Sequence, residues 1–314
     1  MQLLRAIVAG KERVCEGSRP MRACVILNPK AGSVKDIEAV KQQVGRLEAT
    51  ELRITAATGE ATRFARELSN GGCDFVIAAG GDGTLNEVVN GVAERAADVR
   101  VGILPLGTGN DFARTLNLPQ GIDDNIDILL AAETESVDLV RVQSDETRYF
   151  VNVSAGGFSG LVDEKLTPEM KQTWGPLAYL RSAAAAFSEL RAYRTSIALD
   201  DSEPIARNLY NVVVANGRYV AGGLPVAPDA SITDGLLDIL LIPETSTADL
   251  AVIAAQIALG KHLTSESIVF RRAAKLAVTS RPGMWFNVDG ELVGNQPALF
   301  EVLPRALNFV VAKQ

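Results

Sequence analysis

The stretch Asp74–Gly91, DFVIAAGGDGTLNEVVNG, joins an apolar strand to a glycine turn and then at once to a helix. The first amide N–H groups of a helix have no internal partner, so such a junction favours phosphate binding. Gly80, Gly81 and Gly83 lack a Cβ and let an anion approach the backbone closely. Because Asp82 would repel a bare phosphate, its presence indicates a nucleotide bound together with Mg²⁺.

A purely structural role for the same stretch stays open. Thr84 and Glu87 fit the S/T-x-x-E capping box, in which two side chains satisfy the first amides of a helix and nothing is bound. The turn matches neither the G-x-x-x-x-G-K-[ST] of a P-loop nor the G-x-G-x-x-G of a dinucleotide fold. Those two nucleotide motifs are therefore excluded, and capping and phosphate binding remain as alternatives.

A second loop of the same construction occurs at Val101–Ala113, VGILPLGTGNDFA. An apolar strand again ends in a glycine turn, and Asp111 lies in the first turn of the segment that follows. Open parallel sheets bind ligands at the carboxyl edge of their strands, where two such loops converge. The second loop therefore favours the phosphate-site interpretation of the first.

GGDGT followed by LPLGTGNDFAR resembles the catalytic domain shared by diacylglycerol kinases and sphingosine kinases. The resemblance covers roughly residues 21–312, and its size and layout are most similar to those of the soluble bacterial diacylglycerol kinase-like lipid kinases. Further segments that carry it are Asn28–Gly32, Thr55 with Gly59–Ala61, Asn216–Arg218, Asp234–Asp238 and Phe286–Glu291.

The resemblance implies that ATP is the phosphoryl donor and that the two glycine loops hold its phosphates. Asp82 and Asp111 would organise Mg²⁺ through water, since Mg²⁺ keeps much of its hydration shell. For Thr108, a turn or capping role is equally open. The implied ATP-binding residues are Asn28, Thr55, Gly80, Gly81, Asp82, Gly83, Thr84, Leu85, Asn86, Glu87, Gly107, Thr108, Asn110 and Asp111.

The segment Asn287–Glu291, NVDGE, supplies the other implied catalytic residues, Asp289 and Glu291, beside Asp82. An isolated D-G-E is typical of an exposed hairpin turn. The resemblance instead places this turn across an interdomain cleft from the γ-phosphate, where a carboxylate can take the proton of a lipid hydroxyl. Which of the two carboxylates is the base stays open.

A second, structural Mg²⁺ is implied at Ser231–Leu236, SITDGL. The resemblance assigns its ligands as the side chain of Asp234 and the carbonyls of Ser231 and Leu236. The alternative is a simple Asp-Gly hairpin turn. Two apolar segments, Gly156–Phe158 and Gly222–Leu224, are candidates for an acyl-chain slot.

The fold class is α/β, with an N-terminal βαβ nucleotide-binding domain, a second β-rich, sandwich-like domain and a cleft between them. Predicted strands near 23–27, 50–55, 74–79 and 100–104 alternate with helices at 34–48, 60–70 and 84–95, which is typical of βαβ units. After about residue 143 short strands dominate, among them Tyr149–Val153, with helices near 176–191 and 247–260.

The family pattern implies that a last strand, Leu307–Val311, returns to the first domain. We therefore predict an ATP-binding domain of residues 21–142 plus 304–314 and a lipid-substrate domain of residues 143–303. Residues 1–20 form an N-terminal extension that does not match the rest in pattern.

Composition narrows the function classes further. The 314 residues carry a net charge of −7, which disfavours nucleic-acid binding. One histidine, His262, is too few for a zinc site built on several histidines and argues against a Ser-His-Asp hydrolase; we predict a surface or loop residue. Three cysteines without pairing or ligand spacing indicate a reducing cytoplasm.

Besides ATP and a lipid substrate, the expected partner is the inner face of the membrane, touched transiently and peripherally. No signal peptide is predicted. The densest basic group is Arg271, Arg272 and Lys275, which could meet anionic lipid or form a solvated face.

Two alternative functions remain. A relative of NAD kinase or phosphofructokinase also has GGDG turns, although LGTGNDFAR and NVDGE argue against it. A catalytically inactive nucleotide-binding regulatory module is disfavoured by the intact Asp82, Asp289 and Glu291. Diacylglycerol, phosphatidylglycerol, a sphingoid base and ceramide all remain as acceptors, since each presents a primary hydroxyl beside long chains.

Overall fold

The computed structural model describes residues 22–49, 51–159, 190–295 and 297–313. The predicted N-terminal extension lies outside these ranges, as does the helix predicted near 176–191 except for its last two residues.

The N-terminal part of the chain consists of β1 Ala23–Leu27, α1 Ile37–Gly45, β2 Glu51–Ile54, α2 Glu60–Asn70, β3 Phe75–Gly80, α3 Asp82–Val92, a 3-10 turn Ala93–Arg95, β4 Arg100–Pro105, α4 Asp111–Thr115 and α5 Ile122–Ala131. Its strands form a parallel sheet with the order β2-β1-β3-β4. The strand β3 is buried at every position because helices cover both faces of the sheet. Val76 and Ala78 pack with the cluster formed by α2 and α3, whereas Ile77 and Ala79 pack with α1 and α5.

The C-terminal part is a mostly antiparallel, β-rich unit, so the predicted fold class is confirmed. Its elements are β5 Thr134–Gln143, β6 Thr147–Phe150, β7 Val153–Gly157, β8 Tyr193–Leu199, β9 Ile205–Ala215, β10 Tyr219–Val220, β11 Leu224–Pro225, β12 Leu237–Pro243, α6 Thr247–Ala258, a 3-10 turn His262–Thr264, β13 Val269–Ala273, β14 Lys275–Arg281, β15 Phe286–Val288, β16 Glu291–Gly294 and β17 Ala298–Val310.

The predicted strand Tyr149–Val153 is wrong because the chain leaves one strand and enters another within it. β6 ends at Phe150 and pairs with β5, whereas β7 begins at Val153 and pairs with β9 and β15. Between them, the Asn152 carbonyl accepts hydrogen bonds from the amides of Asn216 and Gly217 at 2.9 and 2.8 Å. These two bonds draw the chain out of the first strand.

The last strand, β17, connects the two parts of the sheet. It is parallel to β4 at Asn308 and Phe309 and antiparallel to β5 and β14. Its pairing with β5 is irregular between Leu303 and Leu307, where the predicted domain boundary falls. The chain thus returns to the N-terminal sheet, and the carboxyl ends of β3 and β4 face the turn between β15 and β16.

Candidate active site

The two glycine turns lie in direct contact. The Leu106 amide donates to the Gly80 carbonyl at 2.8 Å. A Cβ added to Gly107 would lie 2.5 Å from the Cα of Gly81, closer than any side-chain carbon can approach. Glycine at both positions therefore lets the loops after β3 and β4 meet, as their place at one sheet edge predicts.

The first carboxylate of the site holds the second loop. Asp82 Oδ1 accepts a hydrogen bond from the Asp111 amide at 2.7 Å and a longer one from the Phe112 amide at 3.4 Å. Asp111 Oδ2 in turn accepts from the Gly222 amide at 3.0 Å, in the C-terminal part of the chain. Asp111 Oδ1 is buried without a partner, and such an orphan acceptor beside a second carboxylate fits a hydrated Mg²⁺.

Burial shapes the proton affinity of this cluster. Burial, followed by the nearby Asp111 charge, raises the pKa of Asp82 to about 6. Burial also raises the pKa of Asp111. Like charges crowded together out of water favour protons or a metal ion as counter-charge.

The turn between β15 and β16 brings Asp289 against the same loops. Its Oδ1 accepts from the Val153 amide at 3.0 Å, and its Oδ2 accepts from Asn86 Nδ2 at 2.9 Å. Burial, with smaller contributions from the charges of Asp82 and Glu291, raises the pKa of Asp289 to about 7. A carboxylate with that pKa suits proton transfer near neutral pH.

A polar cavity of about 300 Å³ opens where these elements meet. Its walls include the turn of NVDGE and both glycine loops. Of the predicted site residues, it is lined by Asn28, Gly81, Asp82, Gly83, Thr84, Gly107, Thr108, Asp289 and Glu291. The segment Asn28–Gly32 contributes Ala31 and Gly32 as well.

An apolar cavity of about 750 Å³ adjoins the polar one. β7, β9 and α6 form much of its wall, and Phe158, Gly222 and Leu224 from the two predicted acyl-chain segments line it. Asp82, Thr108, Gly109, Asp289 and Gly290 line both cavities. Among the described residues that line either one there is no lysine, arginine or histidine.

Both parts of the chain match the models of known protein families. Residues 22–142 match the diacylglycerol kinase catalytic domain, and residues 152–311 match the YegS C-terminal NAD kinase beta sandwich-like domain. A diacylglycerol kinase of Staphylococcus epidermidis is 31% identical over 296 residues, covering 93% of this chain and 92% of that protein. The chain belongs to the diacylglycerol kinase family of lipid kinases.

One further relative and two solved structures are also similar to this chain. The diacylglycerol kinase of Staphylococcus saprophyticus is 32% identical over 283 residues, covering 89% of this chain and 92% of that protein. A Bacillus anthracis structure assigned as a diacylglycerol kinase has a TM-score of 0.78 at 25% identity, covering 94% of this chain and 99% of that chain. An ATP-bound NAD kinase from Archaeoglobus fulgidus, 15% identical with a TM-score of 0.52 over 92% of this chain and 93% of that chain, shares the fold alone.

Thr84 and Glu87 do not form a capping box in this structure. α3 begins at Asp82, two residues before Thr84, whose Oγ1 accepts from Asn28 Nδ2 at 3.1 Å. Glu87 instead accepts from the amides of Gly59 and Ala61, both at 2.9 Å, and so stabilises the start of α2. Glu87 thereby connects α3 to Gly59–Ala61, one of the segments that carry the family resemblance.

The remaining predicted ATP-binding residues do not line the polar cavity, and one of them, Asp111, lines the apolar cavity. Asn110 closes its own loop, accepting from the Gly107 amide at 2.9 Å and donating to the Gly107 carbonyl at 2.8 Å. Gly80 packs against Thr84 so closely that a Cβ would lie 2.4 Å from the threonine Oγ1. Thr55, Leu85, Asn86 and Glu87 also do not line it.

In the loop predicted to hold the structural Mg²⁺, Asp234 has two protein partners. The Asp234 carboxylate forms an ion pair with the Arg272 guanidinium, which also contacts Asp238 Oδ1 at 2.8 Å. Asp234 Oδ1 accepts from the Leu236 amide at 3.1 Å. The implied ligand set combines one carboxylate with two backbone carbonyls, and in this structure the positive charge beside Asp234 is that of Arg272. The structural Mg²⁺ at this loop stays a prediction.

Three remaining sequence expectations concern basic and histidine side chains and the membrane. Lys275 pairs with Glu301 at 3.1 Å, so of the basic group only Arg271 lacks a carboxylate partner among the described residues. His262 lies in a 3-10 turn but is fully buried, with Nε2 2.7 Å from the Val226 carbonyl. No helix in the ranges that the structure describes is long and apolar enough to cross a membrane.

Proposed function

We propose that this protein transfers the γ-phosphate of ATP to the primary hydroxyl of a lipid such as diacylglycerol. The observation that carries the proposal is the contact between a polar and an apolar cavity at Asp82 and Asp289. Phosphoryl transfer needs a donor phosphate and an acceptor hydroxyl in line, with a group that takes the proton. The shared wall is the place where both substrates can meet.

On the donor side, the N-terminus of α3 and the glycine turns offer backbone N–H groups to the triphosphate. A bound Mg²⁺ would supply positive charge between the phosphates and the carboxylates of Asp82 and Asp111. Asp82 also keeps the second loop in place through the Asp111 amide. The proposed ATP-binding domain comprises residues 21–142 and 304–314.

On the acceptor side, the apolar cavity receives the acyl chains and directs the hydroxyl to Asp289. Its volume of about 750 Å³ lies within the range of small-molecule sites. Asp289, with a pKa of about 7, takes the hydroxyl proton, and Glu291 begins β16 directly after the same turn. The apolar wall excludes water, which would otherwise compete for the phosphoryl group.

The charge around the cavities disfavours an anionic acceptor. The charged side chains that line the apolar cavity among the described residues are Asp82, Asp111 and Asp289. An anionic headgroup such as that of phosphatidylglycerol would be repelled, whereas diacylglycerol and ceramide carry no charge. NAD and sugar phosphates are polar and anionic, so the apolar cavity also disfavours the small-molecule kinase alternative.

The test is transfer from γ-labelled ATP to mixed micelles. Diacylglycerol, ceramide, a sphingoid base and phosphatidylglycerol are offered together, with NAD and fructose 6-phosphate as soluble acceptors and the Asp82→Asn variant as the blank. We expect label on an uncharged lipid. Label on NAD or on the sugar phosphate would favour the alternative kinases, and no label on any acceptor would favour the regulatory module.

The lipid substrate resides in a membrane, so the proposal includes transient peripheral contact with the inner membrane face. Vesicle co-sedimentation with and without diacylglycerol measures that contact directly.

A further inference from the structure

The side chain of Asn86 faces the proposed base and not the nucleotide cavity. Asn86 lies in α3, one turn after Asp82, and only 4% of it is exposed. Its Nδ2 is 2.9 Å from Asp289 Oδ2 and 3.3 Å from the Tyr149 carbonyl. The amide thus links the helix of the phosphate turn to a carboxylate more than two hundred residues away in the chain.

The backbone of Tyr149 determines which end of this amide meets Asp289. The Tyr149 N–H, which can only donate, bonds Asn90 Oδ1 at 2.9 Å. Asn90 Nδ2 must then point the other way, toward the Tyr149 carbonyl at 2.8 Å and Asn86 Oδ1 at 3.2 Å. With its oxygen directed at Asn90, Asn86 presents its N–H₂ group to Asp289.

This arrangement leaves the carboxylate fixed but still able to accept a proton. Val153 donates to Oδ1 and Asn86 to Oδ2, so each oxygen keeps a second lone-pair site for the acceptor hydroxyl. The two donors come from different elements, β7 and α3. Two bonds from separate elements restrict rotation of the carboxylate, and near-attack geometry depends on such restriction.

We propose that Asn86 and Asn90 are positioning residues for phosphoryl transfer, holding the Asp289 carboxylate at the wall shared by the two cavities. The inference rests on the proposed function, in which Asp289 accepts the hydroxyl proton. It gives Asn86 a role other than the nucleotide contact implied by the sequence resemblance. The signal in the sequence is a pair of asparagines four residues apart inside a helix, where asparagine is unfavourable unless it has partners.

The first test compares turnover with nucleotide affinity. Asn86→Ala should lower kcat by about 10- to 100-fold, the scale for misplacing a reacting group by about 1 Å. The Kd of a non-hydrolysable ATP analogue, measured by titration calorimetry, should change by no more than a few-fold. Asn90→Ala should lower kcat less than Asn86→Ala does. The Asn86 amide can still donate to Asp289, but it has lost the Asn90 side chain that orients it.

The matched control is Asn125→Ala. Asn125 is also a buried amide in a helix, 1% exposed, and donates to the carbonyls of Pro119 and Gly121 at 2.6 Å each. It lines neither cavity. We expect a lower Tm with unchanged kcat for this variant, which separates loss of a buried amide from loss of positioning.

The deciding experiment is a double-mutant cycle between Asn86→Ala and Asp289→Asn. If Asn86 acts through Asp289, the second substitution should add little to the first. Additive losses, or a fall in analogue affinity that matches the fall in kcat, would overturn the positioning role alone. Near-normal turnover in Asp289→Asn would overturn the base assignment itself. Should Asn86→Ala fail to fold, Asn90→Ala takes its place in the same cycle.

Discussion

The Asp82 carboxylate accepts a hydrogen bond of 2.7 Å from the backbone N–H of Asp111. The residue that follows the first glycine turn thereby binds the first residue of α4, which follows the second glycine turn. The same carboxylate lines both cavities and has a pKa raised to about 6 by burial. Asp82 therefore has a structural role as the acceptor of a hydrogen bond from the second loop. We propose a chemical role for it as well, in which its negative charge helps to hold Mg²⁺.

Two substitutions separate these roles. In Asp82→Asn the side-chain oxygen still accepts from Asp111, so the fold should persist while turnover falls on the order of a thousandfold with the lost charge. Asp82→Ala also leaves a buried amide without its acceptor, which costs about 1–3 kcal/mol of unfolding free energy. The labelled-lipid assay and thermal unfolding measure the two effects. Near-normal turnover in Asp82→Asn would remove this charge from the mechanism.

The raised carboxyl pKa values predict how the stability of the nucleotide-free protein depends on pH. The pKa values of Asp82 and Asp289 are about 6 and about 7 in the folded protein, against about 3.9 for an unfolded aspartate. The folded state binds more protons between these values, so the contribution of these groups is present at low pH and lost as pH rises through about 6 to 7.

The measurement is the Tm of wild type minus that of Asp289→Asn across pH 4 to 8. Burial also raises the pKa of other carboxyls, for example Asp238, and the difference between the two proteins cancels their contribution. We expect the wild type to lose stability relative to the variant as pH rises. A flat difference would show that burial does not perturb Asp289.

The sequence predicts that the two glycine turns meet, because the geometry that brings them together is local. Each glycine turn follows an apolar strand, and parallel strands bring their carboxyl ends to one edge. Gly81 and Gly107 accordingly touch. The shift to short strands after residue 143 likewise predicts the β-rich half of the fold.

Local sequence patterns do not predict the contacts between distant segments. Glu87 stabilises α2 and not its own helix, because α2 packs beside α3. His262 is buried because the end of α6 folds back on Val226, which no local pattern indicates. The ion pair of Asp234 with Arg272 joins residues 38 positions apart, one in the loop before β12 and the other on β13. In each case the partner is set by tertiary packing, which the local sequence does not encode.

The Asp234 ion pair predicts an unusual response to magnesium. In Arg272→Ala, the carboxylates of Asp234 and Asp238 lose their counter-charge, and a divalent ion becomes the substitute. Excess Mg²⁺ without nucleotide should then raise the Tm of Arg272→Ala more than that of the wild type, since a ligand of the folded state stabilises it. A larger rise in the wild type, abolished by Asp234→Ala, would instead establish the Mg²⁺ site implied by the sequence.

The apolar cavity predicts a chain-length effect. Ala155 of β7 lines it, and Ala155→Leu should occupy space needed by an acyl chain. The KM for long-chain diacylglycerol should rise by about 10-fold or more, the scale for a methylene-sized misfit in a pocket, while the KM for ATP is unchanged. A short-chain diacylglycerol should be less affected. Ala206→Leu, on the exposed part of β9, is the control. Equal KM values for both lipids in Ala155→Leu and wild type would place the acyl chains elsewhere.

The turn between β15 and β16 predicts that binding and chemistry separate. Asp289 lies between the two cavities, and Glu291 lines the polar one, whereas most of the nucleotide motifs come from residues before 112. Replacing Asp289 and Glu291 together by Asn and Gln should leave the Kd of a non-hydrolysable ATP analogue within a few-fold. Lipid phosphorylation should fall by about 100-fold or more, the scale of general-base loss. Titration calorimetry beside the labelled-lipid assay checks both values. If affinity for the analogue fell in proportion to turnover, the two carboxylates would belong to the ATP site, and the group that accepts the hydroxyl proton would lie elsewhere on the wall between the cavities.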